Sequence, residues 1–287
     1  MLRSGRLCLG ILNWVVCFLG SGLLGAVSSH AGEWPGLRGP HQDGVSQHET
    51  LAGDTQPPRV LWSRNLGQGY SSFAILSDRA YTQYQTTLGQ YLICLDARTG
   101  STLWETHVGD PYELVGIYPG PRSTPTIYEG VVYFTTPDGE VGAAEAASGR
   151  LMWKKSFQQE LSGEGTEFGY SASPIIADGR VYLPIGGPQA SIVAIGLPDG
   201  NVAWKSGNGP ASYCSMLPIS RSGHPLLVGY LQNELVILDR TTGKELWKSR
   251  ISGGYDEHSA MPIDFDPLVI VSAPFQAGST AYRIEWH

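Results

Sequence analysis

Five positions ahead of predicted strands carry side chains suited to recognising a ligand: Tyr70, Arg122, Tyr170, Tyr213 and His258. They stand in Gly69-Tyr70-Ser71, Pro121-Arg122-Ser123, Gly169-Tyr170-Ser171, Tyr213-Cys214-Ser215 and Glu257-His258-Ser259. Tyr and Arg join apolar area to directed hydrogen bonds, as binding surfaces require. The competing reading is that these residues pack at junctions between repeats. Two long stretches, Gly109 to Gly120 and Gln158 to Gly169, hold Asp110, Glu113, Glu160, Glu164 and Glu167. Such carboxylates could take Ca²⁺, but the spacing is not that of an EF-hand loop, and a solvated acidic rim is the simpler reading. A glycosidase-type acid/base pair needs a carboxylate separation that sequence spacing does not supply. Cys94 and Cys214 are neither adjacent nor in a CxxC spacing and read as buried free thiols. Seven histidines form no HxxxH or HExxH pair. No catalytic residue, metal site or cofactor is therefore expected.

The elements that would position these residues are repeats. Four segments fall into one eleven-residue frame: Cys94 to Trp104, Ala143 to Trp153, Ala194 to Trp204 and Ile237 to Trp247. Each places Gly four residues before Trp, at Gly100, Gly149, Gly200 and Gly243. The tryptophans are 49, 51 and 43 residues apart, which marks one supersecondary unit repeated. In the second unit, predicted strands run Ser123 to Tyr128, Val131 to Thr135, Glu140 to Glu145 and Arg150 to Lys154, with Glu129-Gly130 and Asp138-Gly139 as turns. In the third they run Ser173 to Ala177, Val181 to Ile185, Ser191 to Ile195 and Asn201 to Lys205, with Asp178-Gly179 as the first turn. Asp-Gly between apolar runs is a strong hairpin signal. A four-stranded antiparallel sheet of this size cannot bury both faces alone, so the units must pack face to face around an axis. The expected fold is all-β, a β-propeller of about five four-stranded blades with the tryptophans between neighbours and residues 60–287 as the repeat domain. Loops entering each innermost strand would then gather at one mouth of the central channel.

The frame A-x-D-x-x-T-G-x-x-x-W resembles the tryptophan-docking repeat of pyrroloquinoline-quinone (PQQ) type propellers. Asp96, Thr99, Gly100 and Trp104 match it, as do Asp239, Thr242, Gly243 and Trp247; Glu145 and Gly196 replace the Asp in the other copies. Glu33 to Ser46 resembles the W-P-x-x-R-G-P-x-x-D-G opening of exported bacterial proteins built from these repeats. The resemblance implies one of two classes. One is the quinoprotein dehydrogenases, which hold PQQ with Ca²⁺ beneath adjacent cysteines and beside a catalytic Asp. The other is non-catalytic propellers of the BamB type, which bind protein partners. Adjacent cysteines are missing, and Asn65 and Asn208 remain as possible calcium ligands in loops. The non-catalytic class is favoured, with an envelope protein as partner; a dehydrogenase and a carbohydrate or peptide sensor are the alternatives.

The first 31 residues read as a signal peptide: Arg3 and Arg6, an apolar run from Leu7 to Val27, then Ser29-His30-Ala31. Cleavage after Ala31 is expected, with a retained anchor as the alternative, and residues 32–59 form an N-terminal extension. Removing the leader leaves 17 basic against 26 acidic residues, which disfavours a nucleic-acid partner. A periplasmic or envelope location follows from export. The last unit, from Ala260, stops short of its Gly and Trp; a shortened or incomplete version of a seven- or eight-blade propeller is expected, with a five-blade ring closed by the isolated Val60-Leu61-Trp62 strand, or an open arc that pairs with a second chain, as the alternatives.

Overall fold

The computed structural model describes residues 33–46, 59–113, 118–251, 258–273 and 278–285; the expected leader lies outside them. Within the unit from Ala31 onward, five antiparallel sheets follow one another along the chain. The first comprises β1 (Ala74–Leu76), β2 (Arg79–Thr86), β3 (Gly89–Asp96) and β4 (Thr102–Gly109). The second comprises β5 (Thr126–Tyr128), β6 (Val131–Thr135), β7 (Glu140–Glu145) and β8 (Leu151–Ser156). The third comprises β9 (Ile175–Ala177), β10 (Arg180–Gly187), β11 (Ala190–Gly196) and β12 (Val202–Ser206). The fourth comprises β13 (Leu217–Arg221), β14 (His224–Tyr230), β15 (Glu234–Asp239) and β16 (Glu245–Arg250). The fifth has three strands, β17 (Ile263–Phe265), β18 (Leu268–Ala273) and β19 (Gly278–Arg283). These are propeller blades, and β1, β5 and β9 are the strands of consecutive sheets that approach one another, which places them at the axis.

The hairpins follow from turn chemistry. Glu129-Gly130 and Asp178-Gly179 both take positive φ (47° and 77°, 48° and 69°), as a primed two-residue turn demands. Asp138-Gly139 does not form a two-residue turn. Gly139 N–H donates to Thr136 O, and Thr136 N–H to Glu140 O, so Pro137 joins the loop. A one-turn helix, α1 (Phe157–Glu160), follows β8, with Ser156 accepting at its N-cap from Gln159 N–H.

Between sheets, one contact recurs. The Trp104 indole N–H donates to Ala146 O at 3.0 Å, Trp153 to Leu197 O at 3.0 Å and Trp204 to Arg240 O at 3.1 Å. Each ring lies flat against the next sheet's glycine: a Cβ at Gly149, Gly200 or Gly243 would stand 2.5 to 2.6 Å from it. These glycines also hold φ between 68° and 75°, so a side chain there meets both strain and a ring. A tyrosine from each second strand reaches the same carbonyls: Tyr81 to Ala146 O, Tyr133 to Leu197 O and Tyr182 to Arg240 O. Tyr and Trp rings of each pair lie 5.8 to 6.3 Å apart. The apolar cores form in the same interfaces, as in the cluster of Tyr133, Val141, Val181, Leu183 and Val193.

The looser motif copies still make the turn. Gly100, Gly149, Gly200 and Gly243 N–H all donate to the carbonyl four residues back. Asp96 caps its turn through Oδ1, accepting from Thr99 N–H and Oγ1–H, and the Thr99 side-chain bond holds its carboxyl below the usual range. Glu145 accepts from Ser148 instead. Where Gly196 has no side chain, Asp199 accepts from Asn201 N–H.

The chain's two ends differ from expectation. Residues 60–62 form no strand and pair with no described residue of the fifth sheet. Trp62 docks on the first sheet, its indole N–H on Ala97 O at 3.0 Å and its ring over Gly100. It thus takes the place of a preceding sheet's docking tryptophan. At the other end Trp247 meets Tyr282 edge-on at 5.3 Å and remains 39% exposed. The fifth sheet is tied by Val269 and Val271 packed into the fourth sheet's apolar core and by Arg221, buried on β13, which bonds to Asp264 Oδ1 at 2.5 Å.

A strap runs across the axis. Trp34 N–H and C=O pair with Ile75 C=O and N–H on β1, both at 2.8 Å, and Pro35 O accepts from Ile127 N–H on β5. Residues from Pro35 to Gln42 then line a cleft with Thr126, Ile127, Pro174 and Ile175. The motif singled out at Glu33 to Ser46 therefore bonds to the free edges of β1 and β5, which protects them from foreign strands.

Trp104→Ala is expected to cost about 3–5 kcal/mol, and Trp247→Ala about 1 kcal/mol or less because its ring is part-exposed. Equilibrium unfolding in denaturant measures both; equal losses would contradict the docking account.

Candidate functional site

The register fixes what reaches the mouth. The innermost strands pair Ala74 with Tyr81, Thr126 with Tyr133, Ile175 with Tyr182, Leu217 with Val228 and Ile263 with Ile270. The residues four places before those strand starts are Tyr70, Arg122, Ser171, Tyr213 and Ser259. All five line one open cup of about 450 Å³, together with Tyr118 and Phe168. Tyr170 and His258 sit one residue earlier, and a one-residue step turns a side chain to the other side. Tyr170 is buried, with its hydroxyl donating to Ile185 O at 2.9 Å, and burial pushes its pKa up to about 12. His258 is buried and stacks on Tyr230 at 4.1 Å.

Four aromatic rings form a continuous arc. Tyr70 meets Tyr118 at 6.1 Å, Tyr118 meets Phe168 at 5.9 Å, and Phe168 meets Tyr213 at 6.1 Å. The first two contacts are edge-on, an arrangement the ring quadrupole favours. Backbone bonds hold the loops that carry them: Tyr70 N–H donates to Pro121 O, and Phe168 N–H to the Tyr213 hydroxyl. Gln85 clamps the loop ahead of Tyr118, donating to Tyr112 O and accepting from Tyr112 N–H. Arg122 crosses the arc's start. Its Nη1 donates to Gly120 O at 3.1 Å, its Nη2 to Tyr118 O at 2.6 Å, and its guanidinium lies 5.3 Å from the Tyr70 ring centre.

Beneath the cup, the strand entries are laced together. Ser71 Oγ donates to Ser123 O, Thr124 N–H to Ser173 Oγ, and Ser173 N–H to Ser215 Oγ. Gln83 adds a bond to Ser123 O at 2.9 Å. The lacing sets the spacing of the residues above it.

Tyr118 and Phe168 were not singled out by sequence reasoning. Their signal was present: both belong to the two long stretches, just before Gly120 and Gly169. Among the described residues, no group of three His, Cys, Asp or Glu stands close enough to hold a metal, and the carboxylates of those stretches do not converge on one. Cys94 and Cys214 are free and buried, and burial raises both thiol pKa values, that of Cys214 to about 12.

Residues 53–206 and 188–282 match the family described as outer membrane protein assembly factor BamB. The chain belongs to this BamB family. Curated relatives include the quinoprotein ethanol dehydrogenase of Pseudomonas aeruginosa, 28% identical over 159 residues, covering 54% of this chain and 23% of that protein. The quinoprotein alcohol dehydrogenase PedH of Pseudomonas putida is 23% identical over 139 residues, covering 47% and 22%. The chain thus spans about a quarter of the length of these relatives. The solved quinohemoprotein alcohol dehydrogenase from Comamonas testosteroni superposes with a TM-score of 0.59 at 15% identity, over 87% of this chain and 45% of that one. That likeness shows a shared fold alone.

The described lining of the cup in this BamB-family chain does not fit a calcium-bound quinone. Calcium asks for several carboxylate or carbonyl oxygens, whereas the described lining offers phenols, serine hydroxyls, a phenyl ring and a cation. Asn65 and Asn208 are exposed outside the cup, and the Asn208 side chain already accepts from Gln189 N–H. A further loop asparagine, Asn233, lies between β14 and β15.

At pH 8 the two thiols of the folded repeat domain are expected to be silent to Ellman's reagent and to react fully in guanidinium. Fast reaction of Cys214 in the folded protein would contradict its burial.

Proposed function

We propose that the chain is an exported, non-enzymatic binding module of the cell envelope that captures a polypeptide partner in the aromatic cup. The observation that carries this reading is the arc Tyr70, Tyr118, Phe168 and Tyr213 with Arg122 at its start. Rigid aromatic rings and Arg supply large contact areas at low entropic cost, which makes them the usual anchors of protein interfaces. Tyr70 and Tyr118 are each more than half exposed, so their apolar area is available for burial. Membership of the BamB family and the leader-like first 31 residues support export and an envelope setting. No helix among the described residues is long and apolar enough to cross a membrane.

A quinone-dependent dehydrogenase is the second reading, favoured by the curated relatives. Reduction of a redox dye by the purified chain with added PQQ, Ca²⁺ and an alcohol would establish it and displace the first.

The binding reading is tested with benzoylphenylalanine in place of Tyr118 in source cells. Irradiation is expected to give a discrete polypeptide adduct that falls about tenfold when Tyr70→Ala and Arg122→Ala are added. An adduct unchanged by that pair, or no adduct at all, would overturn it.

A further inference from the structure

The cup's electrostatics narrow its occupant, an inference that rests on the binding reading above. The chain carries a net charge of −7, yet the described lining of the cup has one charged residue, the cation Arg122. The described contacts of Arg122 are two carbonyls and a ring. A guanidinium has five N–H donors in a planar fork, so donors remain after those two bonds. A guanidinium carrying unused donors beside aromatic faces is matched best by a carboxylate, which it can grip with paired charge-assisted bonds.

Ser171 is a second and independent sign. Its Oγ is buried with no hydrogen-bond partner among the described residues, in the lining of the same cup. A buried hydroxyl left unpaired costs free energy that an incoming acceptor would recover.

The strap limits how an occupant can lie. The cup gathers residues four places before the strand starts, while Trp34 and Pro35 bond to β1 and β5 further along, at Ile75 and Ile127. Along these sheets the axis below the cup is occupied by the protein's own chain. A polypeptide can insert an end there more readily than thread through.

We propose that the cup receives a carboxylate-bearing end, the carboxylate held by Arg122 and Ser171 and an adjoining aromatic side chain placed among Tyr118, Phe168 and Tyr213. A polypeptide C-terminus ending in an aromatic residue and a free aryl-alkanoic acid share this chemistry.

Calorimetric titration of the purified full chain separates these sources with three probes: N-acetyl-Gly-Gly-Phe with a free carboxylate, the same peptide as its C-terminal amide, and 3-phenylpropanoate. The expected result is saturable binding of the acid peptide, at least about tenfold weaker binding of the amide, and a similar loss for the acid peptide with Arg122→Gln and a smaller one with Ser171→Ala. Melting curves of both variants should match the parent. Equal affinity for acid and amide peptides would overturn the carboxylate assignment and leave the polypeptide reading standing. Binding of 3-phenylpropanoate alone would keep the carboxylate assignment and overturn the polypeptide reading. Failure of all three to bind below about 1 mM would overturn both.

Discussion

The first four sheets are joined by one contact, a tryptophan ring laid on the glycine of the next sheet's turn. The glycine is needed twice over, for its positive φ and because a Cβ would enter the ring. The indole N–H finds a carbonyl in the same turn, so the ring is desolvated without leaving its polar atom unpaired. Adding the tyrosine hydroxyl to that carbonyl gives each interface two donors on one acceptor. The contact joins a fourth strand to the following sheet, and so transmits a fixed spacing and tilt along the chain.

The cup is built on that spacing. Because the sheets are held in a constant relation, the loops entering their innermost strands converge, and five residues at one register position face a common cup. The serine lacing beneath them and the strap across β1 and β5 replace, at the axis, the lateral pairing that these short strands lack. The fifth sheet is the exception that shows the rule. With Trp247 part-exposed, an ion pair from buried Arg221 links it to its neighbour.

The repeat, its strand count and the Gly-to-Trp frame were legible in the sequence because docking demands residue types that few others can replace. Turns were legible where two residues with positive φ were needed, as at Asp178-Gly179, and less so at Asp138-Gly139, where Pro137 lengthened the loop. The site was only partly legible. Aligning on Tyr-Ser placed Tyr170 beside Tyr70, but cross-strand pairing of Ile175 with Tyr182 puts Ser171 there. A slip of one residue cannot be seen in a loop without alternation, and it separates a cup-facing side chain from a buried one. Trp62 docks on the sheet that follows it, as the frame implies, but residues 60–62 pair with no described strand of the fifth sheet. Tyr118 and Phe168 were hidden in long loops whose path depends on bonds from Gln85 and Tyr213.

Recognition is proposed to occur at the axial cup rather than at the outer strands. Hydrogen exchange followed by mass spectrometry, on the full chain with and without a polypeptide crosslinked through position 118, tests this directly. Slowed exchange is expected in peptides covering 118–123, 168–173 and 213–215, with β4, β8 and β12 unchanged. Slowed exchange confined to those outer strands, with the cup peptides unaffected, would contradict it.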